Sequence, residues 1–186
     1  MTRSSSLSSI GLFYGSSTCY TEIAAEKIRD YFASEKLPSE VVLHNIAETG
    51  LAAIVNFPCL ILGIPTWDYG ELQEDWDRLW DEIDNIDFSN KVVALYGLGD
   101  QLGYPDWFQD AMGYLYHKVE ERGATIIGFW PSEGYQFNSS HALTPDNKFF
   151  VGLPLDEENE FELSEQRIQQ WCRQLREEMQ SLIANR

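Results

Sequence analysis

The chain is poor in positive charge. It carries 13 Lys and Arg against 30 Asp and Glu, a formal net charge of −17 at pH 7. A phosphate backbone needs a basic footprint, so nucleic acid is not an expected partner. An anionic membrane surface is set aside on the same ground. Cysteine is scarce: Cys19, Cys59 and Cys172 are scattered and odd in number, which gives neither a disulfide framework nor a zinc spacing. His44, His117 and His141 also lack ligand spacing. A reduced, cytoplasmic setting is expected. No apolar run is long enough to span a bilayer. The opening "MTRSSSLSS" has no apolar core and is not a signal peptide. It reads as a disordered Ser-rich leader over residues 1–9, with one domain over 10–186. The sequon Asn138-Ser139-Ser140 carries little weight without secretion.

Several phosphate and nucleotide signatures are missing too. There is no GxxxxGK[ST] and no G-x-G-x-x-G after the first strand. Cys19 is not followed six residues later by the Arg a thiol phosphatase needs; that position is Ala25. No Ser/His/Asp arrangement can be picked out.

What the chain has is alternation. Its 186 residues suffice for one well-cored domain. Apolar strands are expected at Ile10–Gly15, Val41–Asn45, Cys59–Ile64, Lys91–Gly97 and Ala124–Trp130. Between them, apolar residues recur at helical spacing: Ile23 to Phe32, a short helix near Leu51–Val55, Trp76 to Ile83, and Phe108 to Val119. A last helix is expected from Ser164 as N-cap, burying Ile168, Trp171, Cys172, Leu175, Met179 and Leu182. Pro38 closes the first helix. Strands this apolar argue for an α/β fold, a five-stranded parallel sheet with helices on both faces. The segment Pro131–Phe161 breaks the rhythm and reads as an insertion near the fifth strand, with "KFFVGL" as an extra strand pairing.

In an open parallel sheet, ligands bind beyond the carboxyl ends of the strands where the strand order reverses. Three loops leave such ends. The first, "GSSTCYT", offers Ser16, Ser17, Thr18 and Thr21 ahead of a helix N-terminus, a place where unpaired N–H groups and the helix dipole attract an anion. An ordinary Ser/Thr-rich cap explains it equally well. The second, "PTWDYGELQEDW", and the third, "GLGDQLGYPDWFQD", carry aromatics beside acidic residues and glycines. Any one of these aromatics is more simply a cap on the core. Together, one anion loop and two aromatic loops at one sheet edge point to a planar phosphate ester.

The stretches "GLFYGSSTCYTE", "GIPTWDYGELQEDW" and "YGLGDQLGYPDWFQDAMG" resemble the long-chain bacterial flavodoxins, and within them the second flavodoxin of gammaproteobacteria. The likeness covers roughly residues 10 to 182. It implies a flavodoxin-like fold, and FMN as a non-covalent cofactor whose phosphate is held without a cationic side chain. It implies that Ser16, Ser17, Thr18, Cys19, Tyr20 and Thr21 surround the phosphate. Trp67 and Tyr104 would cover the two faces of the ring. Pro65, Thr66, Asp68, Tyr69 and Gly70 would line it from the second loop, and Leu98, Gly99, Asp100, Trp107 and Gln109 from the third. Glu158 stands where an acidic ribityl partner occurs. A backbone carbonyl, here that of Asp68, would accept from N5 of the flavin. Two departures stand out: Cys19 occupies a position that is commonly Gly, and Trp107 one that is Asn in some relatives.

The resemblance implies a low-potential, monomeric one-electron carrier rather than an enzyme. It would receive electrons from an NADPH-dependent flavodoxin/ferredoxin reductase or a pyruvate-oxidising enzyme and pass them to acceptor redox enzymes. The acidic run Asp68, Glu71, Glu74, Asp75, Asp77, Asp81, Glu82 and Asp84 is commonly just a solvated face; near a flavin it reads as a docking surface for basic partners. Two rivals are weighed: an FMN-dependent NAD(P)H:quinone reductase on the same fold, and a binding module that has lost the cofactor, which Cys19 alone supports.

Overall fold

In the computed structural model, residues 9–35 and 39–184 are described; most of the Ser-rich leader and Pro38 lie outside them. The elements in chain order are β1 (Ile10–Tyr14), α1 (Tyr20–Ser34), β2 (Val41–Asn45), α2 (Ile46–Thr49), β3 (Cys59–Trp67), β4 (Glu71–Leu72), α3 (Glu74–Leu79), β5 (Val92–Leu98), α4 (Asp110–Glu120), β6 (Thr125–Ile127), β7 (Trp130–Pro131), β8 (Phe149–Phe150), β9 (Leu153–Leu155) and α5 (Phe161–Ala184). Short 3-10 turns at Ala52–Asn56 and Trp80–Asn85 follow α2 and α3.

The main sheet is parallel and runs β2-β1-β3-β5, with the fifth position shared by β6 and β9. The alternation of the strands explains the two cores. Along β1, Ile10, Leu12 and Tyr14 face α1 and α5, while Phe13 faces the opposite layer. The α1/α5 side buries Ile28, Phe32, Trp171 and Leu175; the other buries Trp76, Phe88, Phe108 and Leu115. Each such side chain contributes roughly 1.5–3 kcal/mol on burial, so both sheet faces must be covered. Among the described residues, no helix is long and apolar enough to cross a membrane.

Three expectations change. The fifth strand is not continuous over Ala124–Trp130. It stops at Gly128, whose φ is +81°. A Cβ there would meet Leu175 Cδ2 at 2.7 Å and Trp171 Nε1 at 2.8 Å, so only glycine lets α5 approach this closely. The Gly128 carbonyl accepts from Trp171 Nε1 at 2.8 Å and its N–H donates to Glu178 at 2.8 Å. The chain then leaves the sheet, pairs β7 with β8 antiparallel, and returns as β9 beside the upper half of β5. The insertion therefore divides the fifth strand rather than following it. Second, α5 begins at Phe161, and Ser164 is a buried helical residue rather than its cap. Third, the helix expected from Trp76 to Ile83 is α3 continued as a 3-10 turn, started by Gln73, whose side chain accepts from the N–H of Asp75 and Trp76.

Candidate functional site

β1 pairs with β2 on one side and β3 on the other, so the strand order reverses there. The three loops lie at the carboxyl ends of β1, β3 and β5. Between them is a cleft of about 290 Å³ lined by Thr18, Tyr20, Pro65, Thr66, Trp67, Asp68, Leu98, Gly99, Asp100, Tyr104, Glu157 and Glu158. That volume is near the small end of ligand sites. Among the described residues, no Lys or Arg lines it.

The first loop is held from behind. Tyr96 donates its hydroxyl to the Thr21 carbonyl at 2.8 Å, and Gln73 Nε2 donates to Ser17 Oγ at 3.2 Å. Cys19 is the N-cap of α1, at φ 68°, and gives the helix no side-chain cap. The first N–H groups of a 15-residue helix are thus left for another acceptor. Ser16 Oγ is buried and without a hydrogen-bond partner among the described residues. An orphaned hydroxyl beside an uncapped helix start, next to a cleft that no described Lys or Arg lines, suits an anion bound by neutral donors. The left-handed backbone at Cys19 also explains why glycine is comfortable there.

The second loop turns tightly between β3 and β4, with Asp68 at φ 40° and Gly70 at φ 88°. Thr66 Oγ1 accepts from the N–H of Ala111 at 3.0 Å, which fastens this loop to the start of α4. Tyr69 is exposed and sits edge-on to Trp107 and Tyr104, with ring centroids 5.1 and 5.9 Å apart. Tyr104 donates its hydroxyl to Asp68 Oδ1 at 3.3 Å, and the Asp68 charge raises the Tyr104 pKa. Trp67 Nε1 is buried and unpartnered among the described residues.

The third loop rests on a carboxylate that sequence reasoning missed. Asp156, fully buried, accepts from Gln101 N at 3.1 Å, Gln101 Nε2 at 2.9 Å and Asn159 Nδ2 at 2.9 Å on Oδ2. Its Oδ1 accepts from the N–H of Glu158 at 3.1 Å and of Asn159 at 3.0 Å. Asn159 Nδ2 also donates to Asp100 Oδ1 at 2.7 Å, and Asp100 Oδ1 accepts from the N–H of Leu102 and Gly103. Gln101 Oε1 in turn accepts from the N–H of Gln136, inside the insertion, at 2.6 Å. The insertion also donates from Asn138 to Asp106.

Of the residues named from sequence, Thr18, Tyr20, Pro65, Thr66, Trp67, Asp68, Leu98, Gly99, Asp100, Tyr104 and Glu158 meet around the cleft. Ser16, Ser17 and Cys19 lie in the first loop just outside that lining, and Thr21 is buried, 2% exposed. Tyr69, Gly70 and Trp107 lie outside the lining: Trp107 packs against the exposed Tyr69 and against the buried Gly70. Gln109 is buried, and its Nε2 donates to the Leu155 carbonyl at 3.1 Å. Glu157 joins the lining unexpectedly; its neighbour Glu158 was the only signal for it. In the acidic run, Asp75 is engaged by Gln73 and Arg78, and Asp84 by Lys118 and Arg122. Asp68, Glu71, Glu74, Asp77, Asp81 and Glu82 remain exposed.

Comparison with known proteins bears on the same residues. A family model described as flavodoxin matches residues 12–171. Flavodoxin 2 of Escherichia coli (strain K12) is 53% identical over 170 residues, 91% of this chain and 96% of that protein. A flavodoxin of Nostoc sp. is 47% identical over 169 residues, 91% of this chain and 96% of its own length. The solved structure of Fusobacterium nucleatum flavodoxin bound to flavin mononucleotide superposes with a TM-score of 0.84 at 32% identity, covering 91% of this chain and 98% of that one. With the strand order, the three loops and these matches in agreement, the chain belongs to the flavodoxin family.

Proposed function

We propose that this protein binds FMN non-covalently in the cleft and carries single electrons between redox enzymes, without catalysing a reaction of its own. The observation that carries this reading is the junction of an uncapped, cation-free anion loop with Trp67 and Tyr104 in one cleft lining. When bound, FMN supplies a ring that takes up and releases electrons one at a time. The hydroxyls of Ser16, Ser17 and Thr18 and the backbone N–H groups from Cys19 to Thr21 hold its phosphate. Trp67 and Tyr104 enclose the ring and exclude water. Thr66, Asp68, Leu98, Gly99 and Asp100 line its edges, and Glu158 faces the ribityl side.

Asp68, Asp100, Glu157 and Glu158 surround this cleft with negative charge. Like charge and desolvation both oppose an added anion, so the residues bias the site toward a strong reductant. The exposed acidic run steers basic partners to the same edge; small, electrostatically guided contacts suit transient transfer. The donor is an NADPH-dependent flavodoxin/ferredoxin reductase, and the carrier acts as a monomer.

Titration of the FMN-free chain with FMN, followed by quenching of flavin fluorescence, tests the cofactor. Stepwise anaerobic reduction of the loaded protein tests the carrier role: two resolved one-electron steps are expected. A chain that takes up no FMN, or a single merged two-electron step, overturns the reading.

A further inference from the structure

A second cavity, of about 690 Å³, lies outside the cleft and shares none of its lining residues. It is larger than the cleft's 290 Å³ or so and falls within the usual range of small-molecule sites. Three elements wall it. Leu72 comes from β4, Trp80 from the 3-10 turn after α3, and Tyr114 and Lys118 from α4. Tyr114 and Lys118 are four residues apart on one helix face, and Arg122 continues that spacing just past the helix end. Leu72 and Trp80 are partly buried and pack on the core beneath.

Lys118 and Arg122 suggest an anion site, but their charges are already engaged. Lys118 Nζ pairs with Asp84 at 2.9 Å and sits 5.0 Å from the centre of the Trp80 ring. Arg122 Nη2 donates to the same Asp84, and its Nη1 to the Lys118 carbonyl at 2.6 Å. Arg122 Nε has no partner among the described residues, but it is buried and closed to a ligand. The two side chains are only 13% and 24% exposed, so they offer the cavity aliphatic stem more than charge. The carboxylates on the lining are freer. Glu71 and Asp77 are exposed and make no ion pair among the described residues. Glu121 is 71% exposed and stands 4.0 Å from Arg122 Nη1. With Asp84, these acids outnumber Lys118 and Arg122. The carbonyl end of α4 adds partial negative charge, and the net charge of −17 adds to the same field.

We propose that this cavity is a second ligand site, one that takes a small organic cation. The ligand's apolar or aromatic body lies against Leu72, Trp80 and Tyr114, and one ammonium or guanidinium group meets Glu71, Asp77 and Glu121. Burial of the body supplies the affinity. The unpaired carboxylates and the aromatic faces select the positive group. An anion of the same shape meets an excess of acid. Concave walls from three elements, on the scale of a small molecule, fit a free ligand rather than a flat protein contact. The site does not rest on the FMN reading.

The test uses the full ¹⁵N-labelled chain loaded with FMN, so that the first cleft is filled. Tryptamine is the probe. Indole-3-propionate, of opposite charge, and neutral indole are titrated in parallel. Tryptamine is expected to shift the Trp80 indole N–H and the Leu72, Tyr114 and Lys118 amides along one saturating curve, with a Kd of about 1 mM. Indole is expected to bind more weakly, and the acid weakest. Glu71→Gln and Asp77→Asn are exposed changes that each weaken tryptamine up to about fivefold, and together about tenfold. Lys118→Met, which keeps the stem over Trp80 and removes a like charge, strengthens it about twofold. Three results overturn the proposal: no saturable shift at these residues up to about ten times that Kd, an acid that binds as tightly as the amine, or a double variant within twofold of the natural chain. A chain that takes up no FMN overturns the carrier reading instead. The same titration on it then separates the two cavities, because shifts at Trp67 and Tyr104 report the cleft and shifts at Trp80 and Tyr114 report this site.

Discussion

The buried carboxylate of Asp156 gives the sharpest test of how the site is held. It joins β9 to the third loop through Gln101 and to Asp100 through Asn159. Replacing it with Ala removes both oxygens and leaves the Gln101 N–H without its acceptor in a residue only 2% exposed. A hydrogen bond to a charged group is worth about 1.5–3 kcal/mol net, and an abandoned buried donor adds to the loss. Asp156→Ala is therefore expected to cost about 3 kcal/mol. For a chain of this size that lowers Tm by roughly 6–12 °C. Asp156→Asn keeps the volume and one acceptor oxygen, and is expected to cost about half as much.

The same change reaches the cleft. Asp100 and Gly99 line it, and both lie on the segment that Asp156 anchors. FMN affinity is expected to fall about tenfold in Asp156→Ala, the equivalent of ~1.4 kcal/mol, and less in the Asn variant. Urea unfolding of the FMN-free protein gives the stability term and fluorescence titration the affinity term. An Ala variant within about 0.5 kcal/mol of the natural chain, in the range of ordinary surface substitutions, refutes the anchoring argument. A large stability loss with unchanged affinity refutes its extension to the cleft.

Cys19→Gly relieves a left-handed residue that costs about 1–2 kcal/mol, partly offset by ~0.4–1 kcal/mol of added unfolded-chain entropy; urea unfolding is expected to show a gain of up to about 1.6 kcal/mol, and a loss contradicts the assignment of strain. His44 stacks on Phe13 with centroids 4.4 Å apart, and burial lowers its pKa. The unfolded chain then takes the proton first, so stability declines as pH falls below about 6.5 toward the lowered folded value. His44→Phe is expected to flatten that slope in unfolding curves taken across this range, and an unchanged slope refutes the attribution. Reduction by a reductase is expected to slow about tenfold from low salt to several hundred millimolar as the acidic surface is screened; stopped-flow rates independent of ionic strength contradict the docking role.

How much of this was legible follows from what each feature depends on. β2 was bounded correctly because its limits are set by its own apolar residues, and β1 differs by one residue for the same reason. The three loops were placed because a parallel sheet sends its ligand to the carboxyl ends of the strands on either side of the switch point, and that follows from element order alone. The break in the fifth strand was not legible. "ATIIGFW" reads as one strand until Trp171, far along the chain, is packed against Gly128. Ser164 has the composition of a cap, but the chain enters α5 three residues earlier and carries it inside. Asp156 was hidden in "DEENE", where five polar residues look alike in one dimension. Only the fold separates the one that turns inward to bind Gln101 and Asn159 from Glu157 and Glu158, which face the cleft. Asp110, buried with its Oδ1 accepting from the His141 N–H, was hidden in the same way, as an acidic helix start. In each case local pattern identified the element or loop, while the partner that fixes its role came from a distant part of the chain. The orphaned atoms at Ser16, Trp67 and Asp110 extend that reasoning. They are among the buried positions where the described residues leave a hydrogen bond unmade, and Ser16 and Trp67 belong to the first and second loops that border the cleft.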